Sequence, residues 1–134
     1  TNGGYSGGHK NTIDKFTYAS DDNATDHGDV STARGLSFGC SSTTHGYHAG
    51  GYINYQMIDK YSFASNTTGT NIGNLTRSGQ MNGGSSSTTH GYGAGGYSGG
   101  NTNTIDRWSF SSDGSAVDVG DLTVACRYNA GQQT

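Results

Sequence analysis

Hydrophobic and polar positions along this chain follow a pattern that is repeated almost three times. The segment Ile-Asp-Lys-Phe-Thr-Tyr-Ala-Ser at 13–20 returns with related residues at 58–65 and at 105–112. A second segment, Ser-Ser-Thr-Thr-His-Gly-Tyr-x-Ala-Gly-Gly-Tyr, covers 41–52 and 86–97. A period of about 45 residues is typical of repeat arrays and propellers, in which each unit stacks on a neighbour. We therefore predict one domain, with the end of a preceding repeat at 1–12, repeats at 13–57 and 58–104, and an incomplete repeat at 105–134.

Alternation within the first repeated segment predicts a β-strand. Asp14, Phe16 and Tyr18 would point to one face, and the residues between them to the other. Aromatic and β-branched side chains fit such a half-buried surface. Four extended pieces are expected in the first repeat, at 13–19, 29–34, 36–42 and 45–52, joined by turns rich in Gly, Ser and Asn. No segment keeps a period of 3.6 residues, so we expect almost no helix.

Four short strands in each unit of 45–47 residues favour the blade of a β-propeller. Three units also fit a β-trefoil, which is kept as the alternative, although a trefoil barrel needs more large aliphatic residues than this chain has. Natural propellers usually contain four to eight blades. We therefore expect that the ring is completed by oligomerisation or by further chain.

The composition narrows the class of protein further. Only 29% of the residues are hydrophobic and 13% are charged, while Gly accounts for 24 of 134. Disordered chains usually combine a high net charge with few aromatic residues; here the net charge is −3 and aromatic residues recur at fixed places in the repeat. The seven basic residues are scattered, which argues against nucleic-acid binding. No apolar run approaches the length of a membrane helix.

The repeated motifs resemble those of a known group of proteins. Gly-Tyr-x-Ala-Gly-Gly at 46–51 and 91–96 precedes Ile-Asp-Lys-Tyr-Ser-Phe at 58–63 and its counterpart at 105–110, and Gly-Asp-Leu-Thr follows at 120–123. This order resembles degenerate kelch-type repeats and, more narrowly, repeats in virion structural proteins of marine and freshwater tailed phages. The resemblance implies a structural or appendage component, on a virion or extracellular. Its partners would be copies of itself, other virion proteins or cell-surface glycans.

Five aromatic residues are candidates for contact with a glycan, because sugar rings stack on amphipathic aromatic faces. They are Tyr47, Tyr52, Tyr92, Tyr97 and Trp108. The alternative is that these side chains form the core of the blades, since the chain has little else to bury. The first interpretation would make the protein an oligomeric propeller lectin, and the second leaves it a structural module.

The sequence does not predict an enzyme. His45 and His90 occupy equivalent places in the repeat, which favours a structural bond to a neighbouring backbone carbonyl over catalysis. His27 and His48 break the repeat and are interpreted as surface variation. Each repeat also has an aspartate followed by a base, as in Asp59-Lys60, and we expect these pairs to form contacts between blades.

Neither a metal nor a cofactor is predicted. The loop with Asp21, Asp22 and Asp26 lacks the spacing of a calcium loop and is interpreted as turn capping. Cys40 and Cys126 lie at different offsets in the repeat, so we interpret them as replacements of small buried residues, with a bridge between them as the alternative.

Overall fold

The computed structural model describes residues 2–52 and 55–132, and in these ranges all regular structure is β-strand. The all-β prediction is therefore confirmed. The strands are β1 Asn2–Tyr5, β2 His9–Lys15, β3 Thr25–Asp29, β4 Phe38–Ser41, β5 His45–Ala49, β6 Met57–Ser62, β7 Thr70–Asn74, β8 Gly83–Ser86, β9 His90–Ala94, β10 Thr102–Ser109 and β11 Val117–Cys126.

The strands form three antiparallel sheets that follow one another along the chain. Sheet I contains β1 to β3, sheet II contains β4 to β7, and sheet III contains β8 to β11, each in chain order. Each sheet is therefore an up-and-down meander, as in a propeller blade. No sheet closes on itself within the described ranges. Closure into a propeller or a trefoil stays a prediction.

The sheets are offset from the sequence repeats. Sheet II takes β4 and β5 from the repeat at 13–57 and β7 from the repeat at 58–104, with β6 at the junction. The repeats at 13–57 and 58–104 therefore each supply strands to two sheets, and the incomplete repeat at 105–134 supplies strands to sheet III alone. As a result, the chain passes from one sheet to the next within a sequence repeat rather than between two repeats.

A bulge occurs at the same place in each sheet. In sheet II the pairing of β6 with β7 passes from Ile58 opposite Gly73 to Asp59 opposite Asn71, which leaves Ile72 as the extra residue. Sheets I and III show the same shift in strand register next to Asp14 and Asp106. A bulge bends the strand and changes the direction of its side chains. It places an aspartate at an equivalent point of every sheet.

All four strands predicted in the first repeat have different bounds in the structure; those expected at 36–42 and 45–52 are only shorter, at Phe38–Ser41 and His45–Ala49, and the other two differ more. The strand expected at 13–19 ends at Lys15, and the one expected at 29–34 is instead Thr25–Asp29. After Asp29 the N–H of Val30 still donates to Asn11 of β2 at 2.7 Å, but the N–H of Ser31 already donates to the Asp59 carboxylate of sheet II at 2.9 Å. Contact with a neighbouring sheet thus ends the strand earlier than its residue pattern suggests.

The core lies between sheets II and III. Its buried members are Phe38, Tyr47, Ala49, Ile58, Leu75, Trp108 and Ala116. Between sheets I and II the buried hydrophobic side chains are Ile13 and Val30. The same kind of sheet is therefore joined by an aromatic interface on one side and by a more polar one on the other.

Candidate functional site

Aromatic rings fill the interface between sheets II and III. The ring of Tyr47 stacks on that of Phe110 with centroids 4.7 Å apart, and both Tyr47 and Phe38 lie 6.2 Å from the Trp108 ring. Two glycines of β9 make room for these rings. A Cβ on Gly91 would fall 2.4 Å from the Trp108 ring, and one on Gly93 would fall 2.3 Å from Phe38. The lack of side chains at these two positions allows a tight aromatic layer to form.

This burial corrects part of the predicted glycan set. Tyr47 is 1% exposed and Trp108 is 2% exposed. Neither ring is open to a sugar, and burial raises the pKa of the Tyr47 hydroxyl. For these two residues the alternative interpretation, that they form the core, is the one the structure supports.

A buried carboxylate organises the interface between sheets I and II. Asp59 accepts hydrogen bonds from the backbone N–H and the hydroxyl of Ser31 at 2.8–2.9 Å. It also pairs with the Arg34 guanidinium at 3.1 Å, and neither side chain of this pair is exposed. Arg34 donates a second bond of 2.9 Å to the carbonyl of His48. Burial lowers the pKa of Arg34, and the charge of Asp59 opposes that shift.

The interface between sheets II and III repeats this device with looser geometry. Asp106 accepts from the Thr76 hydroxyl at 2.5 Å and lies 3.5 Å from the Arg77 guanidinium. Burial raises the pKa of Asp106, although the bonds from Thr76 and the charge of Arg77 oppose the shift. The predicted role of the repeated aspartates in contacts between units is confirmed at Asp59 and Asp106.

His48 lies inside the polar interface, so the prediction that it is surface variation is wrong. It is fully buried, its Nε2 lies at hydrogen-bond distance from the Ser37 hydroxyl, and its Nδ1 has no partner. Burial and the nearby Arg34 lower the pKa of His48 to about 4. The ring is therefore neutral at pH 7, and its protonation would oppose folding.

The other histidines are held by local or inter-sheet bonds. His27 is also misassigned as surface variation, because it is half-buried and its Nε2 lies 3.0 Å from the carbonyl of Ser62 in sheet II. His45 and His90 have the predicted structural role, but each Nδ1 meets the hydroxyl of the preceding threonine at 2.8 Å. The bond is to a side chain rather than to a backbone carbonyl.

In the acidic loop, Asp22 accepts from the hydroxyl of Ser20 at 2.5 Å, which is the local turn bond that was predicted. Asp26 and Asp118 instead lie within β3 and β11 at the bulges, where they accept from the N–H groups of Gly28 at 2.7 Å and Gly120 at 3.0 Å. Within the described ranges, no group of three or more metal-ligating side chains is close enough to hold an ion. Cys40 and Cys126 are both free thiols. Burial raises the pKa of the Cys40 thiol to about 12, as expected for a small core residue.

A row of apolar and aromatic side chains follows one edge of the stacked sheets, and we call it the aromatic edge. Its members are Tyr5, His9, Leu36, Tyr52, Met81, Tyr97, Arg127 and Tyr128. Leu36, Met81 and Tyr128 have φ of 57°, 63° and 58° at equivalent places in the three units. The N–H of Met81 donates to the carbonyl of Leu36 at 2.7 Å, and the N–H of Tyr128 donates to that of Met81 at 3.0 Å. This backbone ladder ties the three units together, and its strain marks the edge as a candidate for function.

One end of the aromatic edge forms a shallow groove of about 340 Å³ lined by Tyr5, His9, Gly35, Leu36 and Tyr52. The His9 ring lies 5.5 Å from that of Tyr5 and 5.6 Å from that of Tyr52. Tyr5 is 74% exposed and Tyr52 is 45% exposed. His9 was not predicted as a site residue, and its place directly after the double glycine at 7–8 was the available signal.

The remaining predicted glycan contacts are separated from this groove. Tyr97 lies at the other end of the aromatic edge, where the Arg127 guanidinium is 5.0 Å above its ring. Tyr92 is half-buried on β9, with its ring 6.4 Å from that of His90. The structure therefore does not bring the five predicted aromatic residues into one site.

No family model and no curated protein matches this chain. No helix in the described part of the chain is long and apolar enough to span a membrane. The class that the fold itself defines is an all-β protein of stacked, repeated antiparallel sheets.

Proposed function

We propose that this chain is a non-enzymatic structural module of a tailed-phage particle, in which kelch-like, propeller-type units stack to build a rigid part of the virion. The observation that carries the structural role is the repetition of the same contacts at both interfaces between sheets. Ser31 and Thr76 hold equivalent aspartates of the next sheet, and the backbone ladder continues through all three units. The virion setting comes from the resemblance of the repeated motifs.

The position of polar groups supports assembly over catalysis. The two buried aspartates and Arg34 hold one sheet against the next rather than line an open cleft. Their cost of burial is offset by bonds made only when two units are in place. Such groups specify how units dock, which is what a stacked particle component requires.

Particle composition tests this proposal. Purified phage particles would be examined by mass spectrometry and by immunogold labelling with antibodies raised against the chain. We expect peptides of the chain in the particles and gold at a defined part of the virion. Its presence in infected cells together with its absence from intact particles would overturn the proposal.

Glycan binding is a second candidate function, and the groove at the aromatic edge favours it. Tyr5 and Tyr52 present exposed faces on which a sugar ring could stack, and His9 between them supplies a polar group. A glycan array would test this function. We expect binding that Tyr52→Ala abolishes and that Tyr18→Ala leaves intact, because Tyr18 is 95% exposed and does not line this groove. No binding by the wild-type chain would exclude this candidate.

A further inference from the structure

Each internal interface joins one face of a sheet to the opposite face of the next sheet. The outer faces of sheet III and sheet I are these same two kinds of face. Sheet I covers sheet II with the segment Gly28-Asp29-Val30-Ser31, and sheet II covers sheet III with Gly73-Asn74-Leu75-Thr76. In each case a loop of the following sheet runs along this segment. The N–H of Gly69 donates to the carbonyl of Asp29 at 2.6 Å, and that of Ala116 donates to Asn74 at 2.8 Å.

Sheet III has the same segment on its outer face, where no residue among those described covers Gly120. Gly120-Asp121-Leu122-Thr123 occupies the equivalent positions on β11. A Cβ on Gly28 would fall 2.6 Å from Thr67, and one on Gly73 would fall 2.4 Å from Gly114, but a Cβ on Gly120 would meet no atom within 4 Å. The docking segment is therefore present on sheet III, and no loop of the described residues lies over its glycine.

Apolar side chains extend this open face. Val117, Val119 and Val124 are 52%, 43% and 70% exposed. Ile72 stands where Val119 does in the repeat, and it packs against the core between sheets II and III. A position that is packed at the internal interface is thus exposed at the outer one.

Sheet I carries the complementary elements on its own outer side. Phe16 and Tyr18 occupy the positions of Trp108 and Phe110, yet they are 47% and 95% exposed. In the internal interface, Phe110 is covered by Tyr47 of the preceding sheet. The loop at 21–24 matches the loops that cover Gly28 and Gly73.

Charge completes the match between these two faces. Inside the molecule, Lys60 of sheet II pairs with Asp113 of the loop of sheet III at 2.9 Å. Arg107 has the position of Lys60 on sheet III, and Asp21 has the position of Asp113 in the loop of sheet I. A sheet I face laid on a sheet III face would therefore bring opposite charges together at this point.

We infer that the outer face of sheet III binds the outer face of sheet I of a second copy of this chain, head to tail. Asp21 of one copy pairs with Arg107 of the other, and the loop at 21–24 covers Gly120. Such a contact is heterologous, so it produces a closed ring or an open array. The inference rests on the proposed structural function and names its partner and its two docking faces.

Two exposed substitutions test the two faces separately. Tyr18→Asp blocks the face of sheet I, and Val119→Asp blocks the face of sheet III; the exposure of both side chains should leave folding intact. Sedimentation velocity would be measured from about 1 to 300 µM. The wild-type mass should rise above 13.9 kDa with concentration, and each variant alone should remain at 13.9 kDa.

A mixture of the two variants is the decisive sample. Each variant keeps one intact face, so an equimolar mixture should form a species of about twice 13.9 kDa and nothing larger. The control Tyr5→Ser changes an exposed residue of the aromatic edge and should associate like the wild type. Circular dichroism would show that all variants are folded.

Three results would overturn the inference. They are a wild-type chain that stays monomeric at every concentration, single variants that associate as the wild type does, and a mixture that stays monomeric. The particle analysis described above is independent of this result. Detection of the chain in virions together with monomeric behaviour would overturn the docking faces alone, whereas its absence from virions would overturn the structural function.

Discussion

The two internal interfaces join sheets of the same design by different chemistry. Between sheets I and II, a fully buried pair of Arg34 and Asp59 lies beside the neutral His48. Between sheets II and III, the corresponding pair is longer and its arginine is partly exposed, and an aromatic layer around Trp108 fills the space between the sheets. Both interfaces keep the bond from a Ser or Thr to an Asp. The bond from a Ser or Thr to an Asp is therefore common to both interfaces, while the side chains that fill the space between the sheets differ.

The aromatic interface predicts the largest effect of a single substitution. Trp108→Ala should lower the free energy of unfolding by about 3–5 kcal/mol, because it removes a large buried side chain and leaves a cavity over Gly91. The control Trp108→Tyr introduces the residue that sheet II has at this place and should cost less than about 1.5 kcal/mol. Urea denaturation measures both. Equal, small losses would show that the ring is not packed as described.

Removal of one charge from the polar interface should have the next largest effect. Arg34→Met leaves the carboxylate of Asp59 buried with only Ser31 as donor, and the expected loss is about 3 kcal/mol. Arg77→Met is the comparison. Its pair is 3.5 Å long and the arginine is 18% exposed, but the substitution also removes bonds of 2.8 Å to the Gly95 carbonyl and the Thr102 hydroxyl, so it should cost about 2 kcal/mol. Thermal or urea unfolding would compare them. A greater loss at Arg77 would reverse the proposed contrast.

His48 gives the polar interface a dependence on pH. Its folded pKa of about 4 lies below the ordinary histidine value of 6.5, so the unfolded chain binds the proton more readily. The stabilisation that depends on neutral His48 should be fully present above about pH 7. The free energy of unfolding should be about 2 kcal/mol lower at pH 5. Burial raises the pKa of Asp106, which acts with the opposite sign. The difference between wild type and His48→Asn therefore isolates the histidine, and identical pH profiles would contradict its burial.

The exposed ion pair across the aromatic interface should contribute least. Lys60 and Asp113 are 25% and 59% exposed, and such pairs are worth about 0–1 kcal/mol. Lys60→Met should therefore leave the unfolding midpoint almost unchanged at moderate salt. A loss comparable to that of Arg34→Met would show that exposure does not separate the two kinds of pair.

The sequence predicted the features that follow from the repeated pattern itself. These are the all-β class, the equivalence of the units, and the contacts of Asp59 and Asp106 between them. It did not predict the basic partners, because Arg34 aligns with Gly79, while Arg77 aligns with Thr32. Two arginines at different offsets give no repeated signal, although both reach an equivalent aspartate.

The burial of His48 was unpredictable for a related reason. Gly93 has the same place in the next unit, where Phe38 from the preceding sheet covers it. At the first interface the ring of His48 itself fills the space against Gly3. A residue that breaks the repeat can therefore be a surface variant or a gap filler. Only the packing of the neighbouring sheet distinguishes the two.

The central claim is that equivalent sheets stack face to face, and the single tryptophan offers the most direct test. Trp108 belongs to sheet III, whereas Phe38 and Tyr47 belong to sheet II. In a nuclear Overhauser spectrum, the indole protons of Trp108 should show cross-peaks to the rings of both residues and to the Hα protons of Gly91. Cross-peaks confined to sheet III, with none to Phe38 or Tyr47, would contradict the stacking of the sheets.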